Sequence, residues 1–452
     1  MPAAAQGGVV GIVRGPSTRR PGCRAGRRRF AVDGGAAVKI GILSYHFPPE
    51  PAFIPGSLAE ELAARGHEVR VLTGFPDYPG GHVYPGWRQR WHHETHSERL
   101  TVRRVPRYPG GATSTGARMA SYLSFAGSAT LAARRYLRDV DALYVFQLPA
   151  TTFAAAGVLR LLGQVPTVLH VQDVWTRDGV DEAGEARWVA RMGSAMTRIY
   201  RSAARIAVAA PSMRDLVVAA GAEPDRVRLV LNWTDERIFY PATPGAAARQ
   251  LVRRDGRCVV MHAGTIGARQ GLETAVRAAA ALEKTMDLVL VGSGSAERRV
   301  RGLAAELGAA NVRFVQRRSP VDMPELYAAA DYQLVMLRDL PELRGTVPGK
   351  LQAALSCAAP VIASAGGDTA ELVERVRAGL SCPPEDWAAL ADRFWLGATI
   401  PPPTRTEMGR RGRTAYLREM SLPAGVDRIE RLLHEAAGRV TEPAGNLRRK
   451  LA

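Results

Sequence analysis

A chain of 452 residues exceeds what one hydrophobic core serves, and its 46% hydrophobic content is enough for two sizeable cores. Four cysteines far apart (Cys23, Cys258, Cys357, Cys382) exclude a disulfide framework or a paired zinc site and fit a reducing cytoplasm. Of the +18 formal charge, residues 1–37 hold seven arginines against one aspartate; the remaining +12 suits acidic ligands or an anionic membrane, while no zinc-finger or aromatic-basic motif points to nucleic acid.

In chain order, residues 1–37 are rich in Gly, Ala, Pro and Arg and lack the apolar core of a secretory signal, so they read as a disordered basic tail. From Lys39 onward, buried parallel strands are expected at Ile40–Tyr45, Val69–Thr73, Ala142–Phe146, Thr167–Val171, Arg205–Ala210 and Arg228–Leu231. Between the first two, Ser57 and Glu60 form an S-x-x-E capping box, Leu58 and Leu62 an apolar face, and Gly66 a stop. The stretch 241–245 (PATPG) reads as a linker. Strand runs then resume at Cys258–His262, Asp287–Val291, Val312–Val315, Tyr332–Met336 and Pro360–Ala363, with a helix over 297–307 stopped by Gly308. A second break at Ile400–Thr404 precedes a basic helical tail. The expected organisation is a tail (1–37), an N-terminal α/β domain (38–240), a C-terminal α/β domain (246–400) and a helical tail (401–452) packing back across them. No stretch reaches the ~20 apolar residues of a membrane-spanning helix.

Ligands of such sheets bind at the C-terminal ends of strands, so polar and glycine residues there are the candidates. The loop from His46 to Ser57 carries Gly56, which lets a ligand approach the backbone, although a plain turn reads equally well. At the end of the strand 167–171, Gln172 and Asp173 emerge into a cleft, with Asp173 either a catalytic carboxylate or a helix cap; His170 before them reads as core. The loop 262–272 places Gly264, Thr265, Gly267, Arg269 and Gly271 after a strand, with Arg269 a charge for phosphate. Val291-Gly-Ser-Gly-Ser295 begins like a dinucleotide fingerprint, but Glu297 stands at the third glycine position, which disfavours a dehydrogenase. In 344–350 (RGTVPGK), Gly349 opens a helix and Lys350 sits in its first turn, where a lysine opposes the helix dipole unless an anion shares the site. Asp139-Val-Asp141 mimics a metal-binding D-x-D but precedes its strand, so no metal is assigned.

Taken together, KIGILSYHFPPE, RGHEVRVLT, LHVQDVW, VLNWTDERIFYP, HAGTIGARQGL, VGSGS and TVPGKLQAALSCAAPVIAS occur in an order that resembles the family-four retaining glycosyltransferases, over about residues 38–400. The similarity is to the O-antigen and colanic-acid branch of polysaccharide synthesis. It implies the GT-B fold: two facing, doubly wound Rossmann-like domains with an interdomain cleft. It further implies a nucleotide-diphosphate sugar as co-substrate, no other cofactor, no metal, and a glycan or polyprenyl-linked acceptor. The diphosphate would be held by Gly264, Thr265, Gly267, Arg269, Gly349 and Lys350, and the nucleoside by Gly292, Arg317 and Gln352. Gln172 and Asp173 would face the reaction, and His46, Gly56 and Ser57 the acceptor. Two glutamates usual in the family fall here on Gly345 and Ala353, and the usual arginine and lysine of the phosphate loop on Thr265 and Gln270. An inactive sugar-nucleotide-binding relative that partners another enzyme is the alternative. The expected location is the cytoplasm, peripheral on the inner membrane face. The stretch 118–138 bears on that, because Tyr122, Phe125, Ala126 and Ala129 share a helical face and Arg134, Arg135 and Arg138 follow. It is either a helix buried against the first sheet or one lying on anionic lipid.

Overall fold

The computed structural model describes residues 37–110, 115–147, 152, 156–157, 165–173, 196–253 and 256–439; the expected basic tail and the last residues of the C-terminal tail lie outside them. The first sheet contains β1 (Lys39–Leu43), β2 (Glu68–Gly74), β3 (His93–His96), β4 (Leu100–Val105), β5 (Ala142–Gln147), β6 (Thr167–Val171), β7 (Arg205–Val208) and β8 (Val227–Leu229), in the order β3-β4-β2-β1-β5-β6-β7-β8. The second contains β9 (Cys258–Ala263), β10 (Met286–Val291), β11 (Val312–Val315), β12 (Tyr332–Met336), β13 (Val361–Ser364) and β14 (Gly379–Cys382), in the order β11-β10-β9-β12-β13-β14. Every pairing is parallel except β3 with β4. The apolar runs read from the sequence are these strands. Strands β3, β4 and β14 were not expected, because HETH, LTVRRV and GLSC carry too little apolar length to stand out.

Both sheets bury both faces. On one face of the first sheet Leu43, Val145 and Leu169 pack with Phe125, Ala129 and Ala133 of the helix Thr115–Tyr136. On the other, Ile40, Ile42 and Val69 pack with Leu58 and Leu62 of the helix Phe53–Ala64. The face Tyr122–Phe125–Ala126–Ala129 is therefore core, not a membrane face, with Tyr122 half-buried.

The capping box is not used. The helix begins at Phe53, four residues before Ser57, because Pro55 fits a first turn whose N–H groups have no intrahelical partner. Ser57 lies a turn inside, buried, with Oγ donating to Phe53 O (2.7 Å) and accepting from Trp233 Nε1 (2.8 Å). It braces the core rather than facing a ligand.

After the helix Pro402–Glu419, which places Tyr416 in the second domain's core, the chain returns to the first sheet. Ser421 caps the helix Leu422–Ala436 by accepting from Ala424 N, and Val426, Ile429, Leu432 and Leu433 join the first sheet's core. Glu236, just past β8, fastens the crossing: its Oε1 accepts from Tyr416 Oη (3.1 Å) and Leu422 N (2.9 Å). Gly425 lies so close to Trp233 that a Cβ would fall 2.3 Å from the indole ring. This last helix is structural cement for the first domain. Ile429→Ala removes a fully buried side chain from that seam and is expected to cost roughly 2–5 kcal/mol, read as a lowered unfolding midpoint. An unchanged midpoint would mean that the helix does not contribute to folding of the unit.

Candidate active site

At the C-terminal edge of the second sheet two loops are zipped together. Gly264 N donates to Val291 O (2.8 Å), Ile266 N to Ser293 O (2.9 Å) and Ala296 N to Ile266 O (3.0 Å). The approach is so close that a Cβ on Gly292 would lie 1.9 Å from Gly264 O, and one on Gly294 2.3 Å from Ile266 O. The two glycines of the VGSGS segment thus serve loop packing, which explains a partial fingerprint without a dinucleotide. Gly267 N is held by Gln270 Oε1 (3.1 Å), closing a turn that leaves Arg269 exposed, 3.7 Å from Glu342.

Lys350 reaches into this arrangement from the helix Gly349–Ser356, which starts after Pro348 and has no acidic residue in its first turn. Its Nζ lies 2.9 Å from His262 Nε2 and 3.3 Å from Thr265 O. Gly264 makes room for the stem, since a Cβ there would sit 2.6 Å from Lys350 Cε. Burial pushes the ammonium down to about 8, and among the described residues no carboxylate pairs with it. His262 is fully buried and pushed down to about 3, first by burial and then by the lysine's charge, so it is neutral. What results is a cation with no carboxylate partner among the described residues, beside exposed backbone at Gly264 and Thr265 and at a helix start, an arrangement whose charge can receive an anion.

The structure brings Gly264, Thr265, Gly349 and Lys350 together and places Gly292 directly beneath. Arg317 is exposed, two residues beyond the end of β11, the strand that pairs with β10. Gln352 departs from its expected role: it is buried, and its Nε2 donates to Val347 O (3.1 Å), bracing the turn ahead of the helix instead of presenting an amide to a nucleoside. The two positions of the expected glutamates are also accounted for. Ala353 is core, and a Cβ on Gly345 would meet Ser212 Oγ at 2.8 Å. Ser212, ahead of the helix Met213–Ala219, donates from N (3.0 Å) and Oγ (2.8 Å) to Asp368 Oδ2, tying the first domain to the second at that point.

On the first sheet, His170 is core: its Nδ1 pairs with Tyr144 Oη (2.7 Å) and burial pushes it down to about 4. Gln172 Oε1 accepts from Asn232 Nδ2 (2.6 Å), while Gln172 Nε2 and Asn232 Oδ1 are buried without a hydrogen-bond partner among the described residues. Asp173 is exposed beside them. Gly56 is packed rather than open, because a Cβ would lie 2.5 Å from Pro48 Cγ.

His46 is held by a network that sequence reasoning missed. Its Nδ1 lies 3.0 Å from Glu50 Oε1, which also accepts from Arg107 Nη2 (2.8 Å), Asp77 N (3.1 Å) and Tyr78 N (3.0 Å). Burial pushes Glu50 up, but His46 and the Arg107 guanidinium outweigh it and hold the carboxyl below its usual range. Asp77, also paired with Arg107, is raised by burial. The one sequence signal was the spacing of His46 and Glu50.

Among the described residues two groups could offer metal ligands, His46–Glu50–Asp77 and His67–Glu430–His434. In the first, among the described residues, Glu50 Oε1 accepts from Arg107 and from the backbone of Asp77 and Tyr78, while Asp77 Oδ2 is buried without a hydrogen-bond partner. His67 Nδ1 accepts from Val38 N (3.2 Å), so its Nε2 carries the proton directed at Glu430 (2.7 Å) and is not a lone pair for a metal. Asp139 and Asp141 sit at the opposite edge of the sheet, paired with Arg70 and with Lys39 N.

Sequence profiles match both sheets: one described as a glycosyl transferase 4-like domain covers residues 54–233, and one described as glycosyl transferases group 1 covers residues 257–395. The chain is 30% identical over 317 residues to a relative from Escherichia coli named for colanic acid biosynthesis, the glycosyl transferase WcaI, covering 66% of this chain and 76% of the relative. Its fold is similar to that of a sucrose-phosphate synthase from Thermosynechococcus elongatus (TM-score 0.69, 20% identity, 89% of this chain, 100% of that one). It is also similar to Anabaena HepE, solved in complex with UDP-glucose (TM-score 0.61, 17% identity, 88% of this chain, 100% of that one). The chain belongs to the family-four glycosyltransferases of GT-B fold, of the polysaccharide-biosynthesis type.

Proposed function

We propose that this glycosyltransferase moves a sugar, with retention and without a metal, from a nucleotide-diphosphate donor to a lipid-linked or small glycan acceptor. The donor side is the domain of residues 246–400 and the acceptor side that of residues 38–240. The observation that carries the reading is Lys350: a half-buried ammonium with no carboxylate partner among the described residues, at a helix start, against the exposed backbone of Gly264 and Thr265. Such a group neutralises the leaving diphosphate where charge develops, the main electrostatic demand of this transfer. The solved complex of HepE with UDP-glucose makes a UDP-sugar the first donor to test.

A polyprenyl-linked acceptor would be met at a membrane. No helix among the described residues is long and apolar enough to cross one. The helix Thr115–Tyr136 nevertheless turns Met119, Leu123 and Leu131 to solvent, 45%, 53% and 63% exposed, and ends beside exposed Arg134, Arg135 and Arg138. Tyr108, 53% exposed, is tied to this helix through its N–H to Ser124 Oγ (2.7 Å). Apolar side chains beside an aromatic ring and basic groups suit the interface of an anionic bilayer.

Lys350→Ala is expected to leave the fold intact and to abolish transfer in a donor-turnover assay that tolerates chelators. Loss of one charge-assisted contact, about 1.5–3 kcal/mol, should weaken donor binding by roughly 10- to 150-fold. Unchanged donor affinity would sink the assignment.

Because Lys350 loses its proton near pH 8 in the free enzyme, donor affinity should hold below that value and decline above it. Bound diphosphate favours the charged form, so binding near pH 8–9 should take up protons. Calorimetry in buffers of different ionisation enthalpy reads this; a proton-neutral binding event would contradict it.

Residues 38–452 should co-sediment with anionic but not neutral vesicles. Changing Arg134, Arg135 and Arg138 to Gln should weaken this by about 3 kcal/mol at low salt, at about 1 kcal/mol per basic group. Retention of full binding would make the helix a soluble surface and favour a soluble acceptor.

A further inference from the structure

We infer that His262 is a positioning residue that aims the Lys350 ammonium at the donor diphosphate while leaving its charge uncancelled. The proposal rests on the reading of Lys350 as the diphosphate lysine and adds the group that makes that lysine competent.

A lysine is a point charge on a flexible stem, and an untethered one must be ordered each time an anion binds. Here two acceptors hold it, His262 Nε2 at 2.9 Å and Thr265 O at 3.3 Å, so two of its three N–H bonds are committed and the third is left for a phosphate oxygen. The stem is confined by the loop, since Gly264 has no Cβ to displace Cε. An ammonium only 2.9 Å away can donate to Nε2 only if that nitrogen bears a lone pair, which puts the ring's proton on Nδ1.

The chemistry of the tether decides its function. A carboxylate at this place would orient the lysine equally well but would neutralise it and compete with the diphosphate. A protonated imidazole would repel it. A neutral imidazole orients without either effect, and its full burial keeps it neutral while the lysine beside it is half-buried. His262 lies next to the end of β9, so its ring is fixed by the strand and the sheet's core. This is preorganisation of a transition-state cation through its neighbour.

The test is a double-mutant cycle in the full chain, reading UDP and UDP-glucose binding together with kcat and KM. His262→Phe keeps a ring of similar size without an acceptor, and His262→Gln offers Oε1 near the place of Nε2. The Phe variant should bind donor about tenfold or more weakly, as expected for loss of a charge-assisted bond, with Gln restoring most of the loss. On a Lys350→Ala background the same His262 substitutions should have no further effect on donor binding, because the group they act through is gone. Additive losses on that background, or Phe and Gln equally impaired, would show that His262 only packs the strand and would overturn the proposal. If Lys350→Ala weakens donor binding and His262→Phe does not, the lysine assignment stands and the positioning role falls. If Lys350→Ala itself binds UDP as well as the unmodified chain, both fall. Circular dichroism and thermal unfolding confirm that the compared variants are folded.

Discussion

Lys350 is held by an imidazole and a carbonyl, with no carboxylate paired to it among the described residues. Partial burial works against the ammonium, and a carboxylate would relieve that cost but close the site. The fold holds the charge with neutral partners instead, an imidazole and a carbonyl, although the helix start on which the lysine stands adds to the positive potential. The surrounding features are consistent with that choice. Gly264 is empty of side chain so that the stem fits, and Gly292 is empty so that the loop bearing Gly264 can be pinned from below. An anionic ligand would complete the electrostatics of this arrangement.

The network around His46 in the first domain is built in the opposite way. There the charges are paired internally: Glu50 and Asp77 share Arg107, Glu50 also holds His46, and all but the histidine are buried. Such a network is fixed in place, with its charges paired internally. Gln172 and Asn232, joined to one another with one buried amide atom left over on each, lie on the same sheet at the ends of β6 and β8. The two sheets therefore differ in electrostatic character as well as in topology.

Much of this was legible in the sequence, for identifiable reasons. Fully buried parallel strands are apolar runs, so the central strands of both sheets were readable, while β3 and β4, edged with charge, were not. Lys350 was readable because a lysine in a first turn conflicts with the helix dipole, a local contradiction that demands a ligand. Its partner was not, because His262 lies 88 residues away and is brought into reach only by the pairing of β9 with β12 and the helix that follows. Ser57 misled for a local reason: its capping-box spacing is real, but Pro55 allows the helix to begin a turn earlier and turns the hydroxyl toward Trp233. Gln352 misled because direction, not identity, decides its role, and its amide is spent on Val347 O.

The positions of the missing glutamates carry the last step. At Gly345 a side chain would collide with Ser212, whose amide and hydroxyl both bind Asp368 at the first turn of the helix Asp368–Val376. Two charge-assisted bonds of this kind are each worth about 1.5–3 kcal/mol when buried, and Asp368 is 4% exposed. The space that a glutamate would fill next to the donor is thus given to a joint between the domains. At Ala353 an unpaired carboxylate would enter the apolar core of the second domain, a cost of several kcal/mol. Neither position could regain a glutamate by a single substitution without disturbing what now surrounds it. The absence is therefore built into the packing and is no sign of decay.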